Sequence, residues 1–392
     1  MDLAAQLPWF LIFTSLAKTI SLIFLVVLPM VSYTVYAERR VSALIQDRVG
    51  PNRTGFPLTL LGFKKDFSPF LGGLGQPVAD AVKFLLKEDF VPAHVNTVYF
   101  WIAPTLAMMP AIITLAAIPF GSELFGVKMV VADINVGLLF MFAISSIGVY
   151  GIVLAGWSSN SKYPFLGGIR SSSQMISYEL CMGLSAVPVL LIAGSTNLGK
   201  IVDYQVAKGW LILPITAGWP GWTAILLWVP VVIAFITFTI SMFAETNRLP
   251  FDLPESETEL VAGYHTEYSS MKFALFFLGE YTAMIAGSAL IVVLFFGGWH
   301  LPFIPYMKDG VMTGGFEFLH GNPEWFWKAV WGLVNITAFF GKVAVLLFVF
   351  IWVRWTLPRF RYDQLMKLGW LYLFEIALVN IFLTAGILAF TK

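Results

Sequence analysis

Apolar residues dominate eight long stretches of the chain, near 12–37, 97–120, 134–156, 169–193, 223–244, 271–296, 329–353 and 368–390. A bilayer's hydrocarbon core of about 30 Å takes about 20 mostly apolar residues per helix. The stretches are rich in Leu, Ile, Val and Phe and far too long for barrel strands of about 9–11 residues. The pattern predicts an all-α polytopic membrane protein with eight transmembrane helices and additional amphipathic interfacial helices. The first stretch reads as a span and not as a cleavable signal, because it is too long and no Lys or Arg precedes it in residues 1–11.

Composition agrees with the pattern. Of 392 residues, 58% are hydrophobic and 12% charged, against about 45–50% and about 25% in soluble domains. That excludes an ordinary soluble fold, and disorder too. Lys and Arg total 24 against 23 Asp and Glu, so there is no basic excess to point to nucleic acid. One cysteine, Cys181, forms no internal disulfide and excludes a Cys-ligated zinc or iron–sulfur site in this chain. His94, His265, His300 and His320 lack metal-binding spacing.

The distribution of charge sets an orientation. Sixteen of the 24 basic residues fall in the loops after the first, third, fifth and seventh spans, and six on the other side. Lys18 and Lys342 lie within spans. The positive-inside rule then places the sixteen in the cytoplasm and both termini on the outer, periplasmic or intermembrane, side. The outer loops 194–222 and 297–328 are rich in Gly, Pro and Trp, as in GWHLPFIP, and read as packing and anchoring segments. No repeat supports an inverted-repeat transporter.

The inward loops carry more specific patterns. Segment 38–96 opens ERRVSALIQDRVGPNRTG, with a turn at Gly50-Pro51-Asn52. Further on, QPVADAVKFLLKED sets Val78, Ala81, Val82, Leu85 and Leu86 at helical spacing, an amphipathic helix able to lie in the membrane interface. Its charges are either a solvated face or, through Asp80 beside Lys83 and Lys87, the lining of a pocket entrance.

The segment after the fifth span reads AETNRLPFDLPESETELVAGYHTEYSSMKFALFFLGEY from Ala244. It holds seven acids (Glu245, Asp252, Glu255, Glu257, Glu259, Glu267 and Glu280) against Arg248 and Lys272. Pro250 and Pro254 break regular helix. Glu255 and Glu259, four apart, repel on a shared helix face. A solvated acidic loop would not need the interleaved Phe251, Leu253, Leu260, Val261, Tyr264 and Tyr268.

Charged groups also interrupt the spans: Glu179, Glu280, Lys342 and Glu375. Each costs about 2.5–3.5 kcal/mol at a helix centre and usually faces an interior or a water-filled path. Glu179, midway along its span, is the strongest single candidate, whereas Lys18 is expected to snorkel. Closely spaced buried carboxylates cannot all ionise, so some exchange protons near neutral pH. The last inward loop, RWTLPRFRYDQLMKLGW, sets Arg354, Arg359 and Arg361 beside Tyr362 and Asp363. It reads equally as positive-inside anchoring or as part of a site.

Taken together, ERRVSALIQDRVGPNRTG, QPVADAVKFLLKED, GWSSNSKYPFLGGIRSSSQMISYE, the 244–281 segment and RWTLPRFRYDQLMKLGW closely resemble the quinone-site membrane subunit (H-type) of respiratory complex I, the proton-pumping NADH:quinone oxidoreductase. The matching residues cover all four inward loops and their adjoining spans. The resemblance implies a single membrane domain, 1–392, in a bacterial inner or mitochondrial inner membrane. Its inward loops 38–96, 157–170, 245–272 and 354–367 would form a docking face and a quinone chamber.

The implied partners are the peripheral-arm 49-kDa-like and PSST-like iron–sulfur subunits, neighbouring small membrane-arm subunits and the lipid bilayer, with no nucleic acid. Quinone, either ubiquinone or menaquinone, is the implied substrate. Flavin, iron–sulfur clusters and metal would belong to partners, and with them the redox chemistry. By the same resemblance Glu38, Arg39, Asp80, Arg248 and Arg354 line the quinone chamber. Glu179, Glu245, Asp252, Glu255, Glu257, Glu259, Glu267 and Glu280 form an acidic path towards the pump subunits. Segment FPLTLLGFKKDFSPFLGGLG after Gly55 is longer than the family's usual link. Two other readings stay open on the residues alone. One is the equivalent subunit of a membrane-bound hydrogenase or a ferredoxin- or F420-linked dehydrogenase, and the other is a stand-alone ion-coupled transporter.

Overall fold

The computed structural model of the chain describes residues 8–52, 54, 73–213, 221–254, 260–302, 304–308, 311–313 and 325–391. Eight helices long and apolar enough to cross a membrane are present among them. The first combines α1 (Pro8–Ser21), a π-helical turn (Leu22–Val27) and α2 (Leu28–Ile45). The interfacial α3 (Gln76–Leu86) follows, then the spans α4 (Thr97–Thr114), α5 (Gly137–Ser158) and α6 (Lys162–Ala193). A short α7 (Leu198–Lys208) precedes α8 (Gly221–Glu245), α9 (Ser270–Phe295) and α10 (Trp325–Thr356). The eighth span joins α11 (Tyr362–Lys367), a second π-helical turn (Leu368–Leu373) and α12 (Phe374–Thr391). Two small antiparallel hairpins, β1 (Glu123–Leu124) with β2 (Val127–Lys128) and β3 (Tyr306–Lys308) with β4 (Val311–Thr313), and two short 3-10 turns (Leu115–Ala117 and Gly263–His265) complete the described elements.

The spans alternate in direction, so the loops gather at two ends of the bundle. At one end, Asn96 N donates to Ser158 O, Phe90 N to Ser269 Oγ, and Phe360 N to Pro250 O. This is the arginine face, built from the four loops expected to point inward. At the other, Leu138 N donates to Thr196 O and Asn335 Nδ2 to Pro305 O. This is the hairpin face. Lys18 snorkels as expected, its ammonium reaching Val130 O at 2.7 Å on that face.

Several helices outrun their apolar stretches. The first apolar run ends at residue 37, but α2 continues to Ile45, since an intrahelical hydrogen-bond ladder does not stop at the membrane edge. Glu38 is thereby buried inside the bundle while its neighbour Arg39 turns outward. The most enclosed span is α9, which packs on α2, α3, α4, α7, α8 and α10. Ile291 to Phe295 are completely buried, as expected of a helix apolar on every side. The amphipathic α3 buries none of its residues. Its Leu85 and Leu86 stay exposed, which suits a helix lying in the interface.

Candidate functional site

The site grows from the point where α2, α9 and α10 meet under the arginine face. Glu38 is the hub, forming an ion pair with Arg354 through Oε1 and accepting the Tyr281 hydroxyl at Oε2, 2.7 Å away. The Tyr281 ring in turn faces the Arg248 guanidinium, 4.3 Å from its centroid. Arg248 contacts Glu280 at 2.9 Å, an electrostatic contact without a well-aligned N–H. Glu280 also accepts the Tyr264 hydroxyl at 2.7 Å. Alternating charges and phenols thus run from α10 through α2 and α9 to the loop after α8. Both partners of the Arg248–Glu280 pair are almost completely enclosed, so removing either one upsets a buried charge balance.

A second layer sits beside the first. Arg359 pairs with Asp252 at 2.9 Å. Burial is the main influence on that carboxyl and lifts it to about 6, with Arg359 pulling the other way and Glu280 adding to the rise. Nearer the surface, Arg39 pairs with Asp80 at 2.8 Å, and Asp80 also accepts from Gln76 Nε2 at 2.9 Å. That pair is half exposed and contributes about 0–1 kcal/mol. Asp80 therefore engages the end of the first span instead of Lys83 or Lys87 on its own helix.

The loop carrying Arg248 is held by α6. Gln174, fully buried, shares its two amide N–H donors among Ala244 O at 2.9 Å, Asn247 Oδ1 at 3.2 Å and Phe251 O at 2.8 Å. Gly167, also on α6, lets the loop approach: a Cβ there would lie 2.8 Å from Tyr264 N and 2.9 Å from Pro254 O. Asn247 takes the left-handed conformation just past the end of α8, which asparagine tolerates well.

Below this layer lies a cavity of about 100 Å³, mostly apolar, with Glu245, Asn247, Tyr264 and Glu280 among its lining residues. It is large enough for a few waters. Glu245 is buried, with Oε2 making no hydrogen bond among the described residues, and lies within electrostatic reach of Glu179. Glu179, on α6, accepts a short hydrogen bond from Ser146 on α5.

The profile of the NADH dehydrogenase family matches residues 18–385. The chain belongs to that family. It is 48% identical over 377 residues to an H-type NADH-quinone oxidoreductase subunit of Geobacter metallireducens, covering 95% of this chain and 96% of that protein. The identity is 48% over 360 residues to the H-type subunit of Salinibacter ruber, covering 92% of each. It is 46% over 365 residues to the H-type subunit of Rickettsia prowazekii, covering 92% of this chain and 90% of that one. The chain is an integral membrane protein, the H-type component of the NADH-quinone oxidoreductase enzyme complex, and works alongside that complex's other subunits.

Glu38, Arg39, Asp80, Arg248 and Arg354, singled out from the sequence, lie along one connected region of the arginine face. Glu179, Glu245 and Glu280 lie deeper, around or beside the cavity, and Asp252 pairs within the loop layer. Glu267 is only half-buried and makes none of these contacts. Glu255, Glu257 and Glu259 lie outside the described residues, as does nearly all of the 56–75 insertion. The last inward loop divides: Arg354 and Arg359 meet buried acids, whereas Arg361 pairs with Asp363 at the surface, as plain anchoring would have it. Sequence reasoning missed Tyr281, Tyr264 and Gln174 as site members. Tyr281 directly follows Glu280, and that adjacency was its only signal.

Proposed function

We propose that the arginine face forms the membrane-side wall of a quinone chamber, completed by peripheral-arm subunits of the 49-kDa-like and PSST-like iron–sulfur types. Quinone enters from the bilayer near α3. Its headgroup is reduced by electrons from a partner's cluster, and this chain binds and orients the molecule and senses its change of charge. The observation that carries the reading is the connected series Arg354, Glu38, Tyr281, Arg248 and Glu280, which runs from the arginine face to a cavity shared with Glu245. At an effective dielectric of about 20, two unit charges 4 Å apart interact by about 4 kcal/mol. One pKa unit corresponds to about 1.36 kcal/mol, so a charge arriving near Glu38 is enough to redistribute protons among these carboxylates.

In this reading Glu280, Glu245 and Glu179 carry the response into the membrane arm, with Asp252, Glu255, Glu257, Glu259 and Glu267 as the acidic path leading to them. The arginine face points to the cytoplasm or matrix, and both termini to the other side. The relatives named above are NADH-quinone oxidoreductase subunits, which favours this reading over a hydrogenase or ferredoxin-linked counterpart. The test is the intact complex in proteoliposomes, with quinone reduction and proton uptake followed separately. Glu38→Gln, Glu255→Gln, Glu257→Gln and Glu259→Gln are expected to assemble normally and to lose at least half of their quinone-reductase activity. Normal turnover and normal pumping in all four would remove these carboxylates from the mechanism.

A further inference from the structure

The hairpin-face end of α9 terminates within the bundle. Its last turn is buried, and the chain then reverses at Gly297 and Gly298, which have φ of 70° and 55°. A helix end leaves its final carbonyls without intrahelical donors, and in a membrane interior water does not replace them. Here the reversal draws three carbonyl oxygens to one point. Phe296 O, Gly298 O and His300 O lie 2.8, 2.9 and 2.7 Å from the Lys342 ammonium, which reaches in from α10. The Trp210 indole covers the same group, its centroid 4.3 Å away. Gln205 on α7 braces the turn, donating to Val293 O at 2.7 Å and accepting from Gly297 N at 2.9 Å. A Cβ on Gly297 would fall 2.5 Å from the Trp210 ring and one on Gly298 2.7 Å from Val202. Both positions therefore need glycine for space as well as for conformation.

Convergent carbonyls at these distances beneath an aromatic face are the chemistry that binds a compact monovalent cation. Lysine brings three donors and no acceptor, and each carbonyl takes up one of them. We propose that the Phe296–His300 turn and Trp210 form a site for ammonium-type monovalent cations, permanently filled by the tethered ammonium of Lys342, and that this ion holds the broken end of α9 together. Nothing in the quinone chamber or the carboxylate path depends on it. The charge inside the seventh span is explained as a built-in ligand.

The test is thermal unfolding of the intact, membrane-embedded complex carrying Lys342→Ala, Lys342→Met or Lys342→Arg. Lys342→Ala vacates the site. Its melting temperature is expected to fall by several degrees, and propylammonium chloride to restore at least half of the loss, while 1-propanol at equal concentration restores none. Lys342→Met fills the space without a charge and is expected to fall as far, with no recovery in propylammonium. The proposal is overturned if Lys342→Met melts like the parent complex, or if 1-propanol rescues Lys342→Ala as well as propylammonium does. Should Lys342→Ala fail to assemble, Lys342→Arg and Lys342→Gln decide. A cation site requires the arginine variant to assemble in clearly greater yield, and equal yields overturn it.

Discussion

Tyr281 is where a single side chain joins two ion pairs, Glu38–Arg354 and Arg248–Glu280. Its hydroxyl donates to Glu38 and its ring faces Arg248. Tyr281→Phe removes one hydrogen bond to a charged group, a loss of about 1.5–3 kcal/mol, and keeps the ring. Tyr281→Leu also removes a desolvated cation–π contact of about 2 kcal/mol. The leucine variant is therefore expected to lose more quinone-reductase activity and more thermal stability than the phenylalanine variant, and equal losses would show that the ring contact contributes nothing. Asp252 supplies a pH signature. With its carboxyl lifted to about 6 by burial, it is protonated below that pH, and its ion pair with Arg359 fades as the medium acidifies. The folded protein then holds more protons at this site than the unfolded chain between about pH 4 and 6, so this group lowers stability as pH rises through that window. Activity is expected to show an acid limb near pH 6 that Asp252→Asn abolishes, measured as initial rate against pH.

Among the elements, α6 and α9 do the positioning. Gln174 on α6 ties three acceptors of the loop after α8, and no other described side chain binds the Ala244 and Phe251 carbonyls. Both carbonyls also accept a backbone N–H, from Asn247 and Leu253, so the loss is that of the amide's own hydrogen bonds, about 0.5–1.5 kcal/mol each. Gln174→Ala should therefore lower the melting temperature and displace Arg248, weakening quinone turnover. Gln174→Glu, which keeps the shape but cannot donate when ionised, should do nearly as much harm. Preserved activity in both variants would mean that Gly167 and the loop's own apolar residues suffice to hold it. The π-helical turn of the eighth span is secured in the same manner, with Tyr178 donating to Leu365 O at 2.8 Å and Cys181 Sγ to Gly369 O at 3.4 Å.

For the whole molecule, the bundle has an arginine face and a hairpin face, and the proposed function requires the first to meet the peripheral arm. The single, buried Cys181 makes this testable by labelling. Lys200→Cys, exposed on the hairpin side, should react with a membrane-impermeant maleimide in intact cells or spheroplasts. Glu88→Cys, exposed beside α3, should react only in inverted vesicles stripped of the peripheral arm. The opposite pattern would reverse the orientation and remove the docking face from the cytoplasmic side.

Hydropathy alone determined the eight spans and their alternation, because the cost of exposing unpaired backbone to hydrocarbon leaves long apolar helices as the only economical answer for such runs. The family resemblance carried by the quoted loop motifs also implied that Glu38, Arg248 and Arg354 share one neighbourhood. Which acid meets which base was a different matter. Glu38 and Tyr281 are 243 positions apart, and Arg359 and Asp252 are separated by 107, so no local periodicity relates them. Asp80 illustrates the limit: helical spacing pointed to Lys83 and Lys87, but packing gave it Arg39, because α2 runs on beyond the membrane edge. Lys342 likewise reads in sequence as a charge stranded in a span, and only the reversal at Gly297-Gly298 brings it the carbonyls that make its burial tolerable. Long-range pairing of buried charges depends on how the helices pack, and packing is a property of the assembled bundle.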